Sequence, residues 1–152
     1  MGSKTTLKII SHRGNLDGPS QWENSPQQIR RALDAGFDVE VDVRYFNNTF
    51  YLGHDEAIYK VEESFLEDSR LWCHAKTLKA LVTMLKNSKI RCFSHDIDDM
   101  VLTSDGYIWT FNGKKTDPEK SIIVDLTREW KNHNYQGNAF GVCTDYPNLW
   151  QK

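Results

Sequence analysis

Residues 37–43 read Phe-Asp-Val-Glu-Val-Asp-Val, an alternation without a break. Successive side chains of a strand point to opposite faces. Phe37, Val39, Val41 and Val43 therefore share one face, and Asp38, Glu40 and Asp42 the other. Just upstream, Ser25-Pro26-Gln27-Gln28 opens a helix, with serine at the N-cap, proline first and glutamine third. Ile29, Ala32 and Leu33 form its apolar stripe, and Gly36 suits the left-handed residue that ends it. A short apolar strand at residues 7–11 precedes both. Strand, helix, strand is a βαβ unit, which joins parallel strands. Parallel sheets are usually covered on both faces. Three carboxylates on a covered strand repel one another unless a barrel interior or a cation receives them. A solvated acidic face is the plain alternative.

The rest of the chain continues the pattern more thinly. Residues 45–53 suggest a hairpin turning at Asn47-Asn48. Residues 71–74 form a third strand, and Thr77 caps a helix whose expected stripe is Leu78, Leu81, Val82 and Leu85. Further strands fall at 90–93, 100–102, 107–111, 121–124 and 140–143, with a short helix at 126–133. Residues 103–106 are too few for a parallel crossover, so 100–111 is one interrupted strand or a hairpin. No repeat or linker divides the chain. A single domain is expected over 4–152, with Met1-Gly2-Ser3 a cloning remnant.

Composition narrows the classes. The chain has 152 residues, 39% hydrophobic and 26% charged, which suits a globular domain. A net charge of −2 and the lack of a basic run argue against nucleic acid as a partner. No stretch approaches the length of a membrane span, so stable insertion is not expected. Cys73, Cys92 and Cys143 are odd in number and lack CxxC spacing, which favours reduced core thiols in a cytoplasmic setting.

The chemistry-bearing residues cluster at strand ends, which gather on one rim of a parallel barrel. Glu40 and Asp42 lie roughly 6.5–7 Å apart along their strand and could share one hard cation. Asp38, furthest from the C-terminal end, is the weakest ligand candidate. His12 and His54 each follow a strand-like run, beside Arg13 and Asp55, and imidazoles trade protons near neutral pH. Arg13 carries a planar charged fork suited to phosphate. In Cys73-His74-Ala75-Lys76, His74 could join the metal ligands and Lys76 could pair with phosphate. His95 reads as structural, and Trp109 as core or as an apolar wall. Together these residues point to metal-assisted cleavage of a phosphate ester in a small-molecule substrate.

In His12-Arg13-Gly14, Glu23-Asn24-Ser25, residues 36–43, His54-Asp55, Trp109-Thr110-Phe111-Asn112 and Thr144-Asp145-Tyr146-Pro147, taken in that order, the chain resembles the glycerophosphodiester phosphodiesterase family, within the phospholipase C-like phosphodiesterase superfamily. The resemblance implies an α/β fold: a compact (β/α)8 TIM-type barrel with several shortened or missing helices, since family members are much longer. It implies a divalent cation, Mg²⁺ first and Ca²⁺ or Mn²⁺ otherwise, and a role in lipid metabolism. Carried onto this chain, His12 and His54 are the acid/base pair, Arg13 steadies phosphate, and Glu40 and Asp42 bind metal. Glu23, Asp55 and Trp109 stand as outer support. Members usually carry Glu-x-Lys where this chain has His74-Ala75-Lys76. A histidine ligand makes the site less anionic and softer, which favours Mn²⁺ over Ca²⁺. The expected function is metal-dependent hydrolysis of glycerophosphodiester-like substrates. The alternatives are a non-catalytic module for phosphorylated headgroups or glycans, and a sphingomyelinase D-like phospholipase.

Overall fold

The computed structural model describes residues 6–128 and 135–151. Met1-Gly2-Ser3 and residues 129–133 of the helix expected at 126–133 lie outside them, and residues 126–128 are not helical. The first unit forms as its sequence dictates. β1 (Lys8–His12) leads into α1 (Pro26–Asp34) and then β2 (Asp38–Phe46), parallel to β1. The Ser25 hydroxyl accepts from the Gln28 amide, and the Gln28 side chain donates to the Gly14 carbonyl, tying the helix start to the loop after β1. Phe37 N–H reaches back to Ala32 and Gly36 N–H to Leu33, closing the helix with Gly36 at φ +96°.

β2 runs into a hairpin with β3 (Thr49–Leu52) through Asn47 and Asn48, both with positive φ, and β4 (Tyr59–Val61) adds an antiparallel edge. Then come β5 (Leu71–Ala75), α2 (Leu78–Leu85) and β6 (Cys92–Phe93). Next are β7 (Met100–Leu102), β8 (Ile108–Thr110), β9 (Ser121–Val124), β10 (Gly141–Thr144) and the short α3 (Pro147–Trp150). The parallel order is β6-β5-β2-β1-β10-β9-β8, and β7 pairs antiparallel with β8. The hairpin reading of residues 100–111 therefore applies.

The mixed sheet curls into a half-barrel with few helices. Among the described residues no backbone ladder joins β6 to β7. Ser104, in the β7–β8 turn, bridges that side: its amide donates to the Cys92 carbonyl and its hydroxyl accepts from the Cys92 amide, both at 2.8 Å.

Two apolar clusters hold the layers. Outside, Val39, Val41 and Val43 pack with Ile29, Ala32 and Leu33 of α1 and with Ala80 and Met84 of α2. Inside, Ile10, Trp72, Phe93, Trp109, Ile122 and Cys143 pack together. The expected α2 stripe is corrected here. Ala80 and Met84 face the sheet and Leu81 packs at its margin, while Leu78, Val82 and Leu85 are 78%, 41% and 55% exposed. Only Lys79 and Thr83 are polar in this helix, so periodicity cannot orient it.

Candidate functional site

Strand register assembles the site. His12 lies opposite Glu40 across the β1–β2 ladder, and Asp42 lies opposite His74 across β2–β5. Ser11 pairs with Thr144, which brings Asp145 beside His12. Glu40 and Asp42 point inward and are buried, at 2% and 1% exposure. Asp38 is buried lower on the same face, where it accepts from the Trp72 indole at 3.0 Å and meets Lys8 at 3.8 Å.

A cavity of about 510 Å³ opens above these residues. Its lining includes His12, Arg13, Glu40, Asp42, His54, His74, Lys76 and Trp109, so eight of the ten side chains singled out in the sequence share one cleft. The other two stand behind it. Glu23 contacts Arg13 and Asn15, and the exposed Asp55 pairs with His54 Nδ1 at 2.8 Å.

Each side chain is positioned by identifiable contacts. His12 Nδ1 lies 2.7 Å from Asp145 Oδ1, and Nε2 faces Glu40 Oε1 at 3.9 Å. Asn15 Nδ2 donates to both Asp145 and Glu23. Asn24 clamps Asp42: its amide donates to Oδ2 and its carbonyl oxygen accepts from the Asp42 backbone, both at 2.9 Å. Arg13 Nε sits 3.1 Å from Asp42 Oδ2, a charge pair not aligned as a hydrogen bond. His54 hangs on the loop after β3, where Arg44 donates to the Gly53 and His54 carbonyls. Gly53, at φ +154°, has no alternative: a Cβ there would fall 1.8 Å from the Glu56 carbonyl oxygen.

The charges compete. Burial opposes protonation of His12, but the Asp145 hydrogen bond and the charges of Glu40 and Asp145 outweigh it and raise its pKa above 6.5. Burial raises and the His74 hydrogen bond lowers the Glu40 pKa; with His12 and Arg13 added, the lowering wins. Burial and the Glu40 charge push Asp42 above its ordinary value.

Two trios of donors lie close enough to hold a metal, each with atoms within 4.8 Å of one another: Glu40, Asp42 and His74, and His12, Glu23 and Asp145. The second trio is already engaged, through the His12–Asp145 contact and the Asn15 bridge. The first is not. Glu40 Oε1 is buried without a hydrogen-bond partner, a position that leaves a carboxylate oxygen needing a cation. His74 Nδ1 faces Glu40 Oε2 at 3.5 Å and Asp42 Oδ1 at 3.7 Å. Its Nε2 lies 3.0 Å from the His95 carbonyl oxygen and 3.3 Å from the His95 amide, contacts that hold the ring with Nδ1 toward the acids. The residues present fit a hard or borderline divalent cation.

Sequence reading assigned no role to Asp145, Asn15 or Asn24, although Asp145 and Asn24 fall in the segments behind the resemblance. A carboxylate directly after a strand was the available signal for Asp145. Nothing local announces that Asn24 reaches Asp42. The far wall was also missed apart from Trp109: His95, Asp96, Phe111, Asn112, Val124, Leu126 and Thr127 line the cavity there.

Fold and cleft together define a curled, largely parallel α/β sheet with an acid–imidazole site at its C-terminal strand ends. No family model matches the chain, and no curated protein does. Solved structures do. A glycerophosphodiester phosphodiesterase from Agrobacterium tumefaciens superposes over 95% of this chain and 99% of its own, with TM-score 0.59 and 14% identity. One from Parabacteroides distasonis covers 99% and 97%, with TM-score 0.60 and 15% identity. At that identity the likeness establishes a shared fold.

Proposed function

We propose that this cleft hydrolyses phosphodiesters in a metal-dependent reaction, with glycerophosphodiesters the expected substrates, on a compact barrel trimmed of helices. One observation carries the reading. Two histidines, each with its Nδ1 on a carboxylate, line the same cavity as a buried acid pair that has an orphaned oxygen. A binding pocket needs cations; paired imidazoles serve proton transfer. The fold shared with two glycerophosphodiester phosphodiesterases supports it.

Glu40, Asp42 and His74 would hold the cation, Mg²⁺ in the first instance, with Mn²⁺ admitted by the imidazole donor. When bound, such an ion neutralises the non-bridging phosphate oxygens. Lys76 adds positive charge from the same wall. His54 takes the proton of the attacking water or substrate hydroxyl as its oxygen bonds to phosphorus. His12, whose proton Asp145 helps to hold, gives that proton to the departing alkoxide as the P–O bond breaks. The products are an alcohol and a phosphomonoester, or a cyclic phosphate where a neighbouring hydroxyl attacks first.

Phosphorus NMR of glycerophosphodiesters with Mg²⁺, Mn²⁺, Ca²⁺ or EDTA tests this. His54→Ala is the informative variant because His54 is 41% exposed and its loss leaves the core intact. Metal-dependent turnover that falls about 10²–10⁴-fold in the variant is expected. Tight binding of the diester without turnover under any metal would overturn hydrolysis in favour of a binding module.

A further inference from the structure

Residues 76–91 carry Lys76, Lys79, Lys86, Lys89 and Arg91 and no aspartate or glutamate, in a chain whose net charge is −2. The cations are spread out in sequence, and α2 gathers them. Ala80 and Met84 hold the helix on the sheet. At about 100° per residue, the opposite side carries Leu78, Val82 and Leu85, with Lys79 and Lys86 along one flank. All five are exposed, and so is Lys89 just beyond the helix. Arg91 is engaged with Asp105 at 2.6 Å, but Lys76, Lys79, Lys86 and Lys89 make no ion pair among the described residues. Glu63 and Glu67 reach the end of the helix, and there they accept from the Asn87 amide. A stripe of carbon bordered by lysines on an exposed helix face is the make-up of a helix that lies on anionic headgroups.

We infer that the outer face of α2 docks reversibly on an anionic lipid surface, with Leu78, Val82 and Leu85 entering among the headgroups and Lys79, Lys86 and Lys89 pairing with their phosphates. Charge complementarity selects this occupant. A second copy seated on the face by a two-fold axis would bring lysines against their own copies. The eight residues of α2 also make only about 12 Å of helix, short of the roughly 800 Å² per partner that a stable dimer buries. A lipid surface needs no matching groove. Lysine stems cover carbon while their ammonium groups stay at headgroup level. α2 starts two residues after the cleft-lining Lys76, so the docked helix holds the cleft rim beside the surface. Docking here is independent of the chemistry in the cleft.

The test is co-sedimentation of the full chain with phosphatidylcholine vesicles, with and without phosphatidylglycerol, over a salt series. Binding should require phosphatidylglycerol and weaken as salt rises. Each lysine near an anionic surface is worth about fivefold in partition, so Lys79→Gln, Lys86→Gln and Lys89→Gln together should lower it about a hundredfold. Leu78→Gln with Leu85→Gln, which leaves the charge unchanged, should lower it about tenfold. All five positions are exposed, and melting curves check that the variants fold. Lys76 is kept because it lines the cleft. Wild type that stays in solution with phosphatidylglycerol vesicles at low salt would overturn the lipid assignment and leave the face to a protein. Equal binding to both kinds of vesicle, or binding that neither variant weakens, would overturn it as well. So would sedimentation equilibrium showing a dimer that the leucine variant abolishes, with no vesicle binding, which would give the face to a second copy.

Discussion

Asp145 is the residue whose replacement separates positioning from mere packing. Its Oδ1 takes the His12 Nδ1 contact at 2.7 Å and the Asn15 amide at 2.9 Å, and the residue is 5% exposed. Asp145→Asn keeps shape and volume and removes the charge. A hydrogen bond to a charged group contributes about 1.5–3 kcal/mol. If that contact stabilises the imidazolium while His12 holds its proton, kcat should fall about 10- to 150-fold at about 1.4 kcal/mol per decade. KM should move little, because Asp145 does not line the cavity. The second expected effect is independent of activity. The Asp145 hydrogen bond and charge both raise the His12 pKa, so the variant's ring should titrate at lower pH. Nitrogen-correlated NMR of the imidazole reads that shift and the tautomer together, and a melting curve checks the fold. A folded variant with unchanged kcat and an unchanged His12 titration would refute the argument.

Three further outcomes follow from the same geometry. If Glu40 Oε1 awaits a cation, Mg²⁺ or Mn²⁺ at a hundred times its dissociation constant stabilises the protein by about 2.7 kcal/mol; calorimetric melting should show the rise in wild type and its loss in Glu40→Gln. Asp42 titrates above its unfolded value, so its contribution to stability is complete below pH 3.8 and is lost as pH rises through the folded value; in EDTA, urea unfolding should show wild type losing ground to Asp42→Asn as pH rises above 3.8, and a constant difference would contradict it. The α2 orientation predicts a loss of about 2–5 kcal/mol for Met84→Ala and a change within about 0.5 kcal/mol for the exposed Leu78→Lys, measured by the same unfolding.

The N-terminal third was legible because three local signals agreed there. The Ser25 cap, the Gly36 stop and the unbroken alternation of 37–43 each admit one conformation, and β1, α1 and β2 formed as read. The inward acids were legible for the same reason, since period two assigns them to one face whatever lies outside. α2 was illegible because six of its eight residues are apolar. β4 and the 3-10 turn at Glu63–Glu67 carry too few residues for any period to show. In the site, residue type pointed to the cleft side chains, but their partners were hidden. Asp145 comes to His12 only through the pairing of the first parallel strand with the last, a contact across 133 positions that no local pattern encodes.

Arg13 shows what the structure adds to a residue the sequence already singles out. Its backbone is left-handed, at φ +60°, a conformation that for a side chain of this size persists only when its surroundings enforce it. They do: its amide donates to the Glu40 carbonyl and its own carbonyl accepts from Asn24, whose side chain in turn clamps Asp42. The turn thereby swings the guanidinium back onto Asp42 and Glu23 instead of straight across the cleft. Arg13 thus neutralises one of the two buried acids, while His74 faces both. A cation binding Glu40 and Asp42 would take over that neutralisation and weaken the hold of Asp42 on Arg13. The guanidinium, still lining the cavity, would then be available to a phosphate. On this argument metal and phosphodiester bind with positive coupling through Arg13. Arg13→Gln should reduce that coupling in calorimetric titrations of one ligand in the presence of the other.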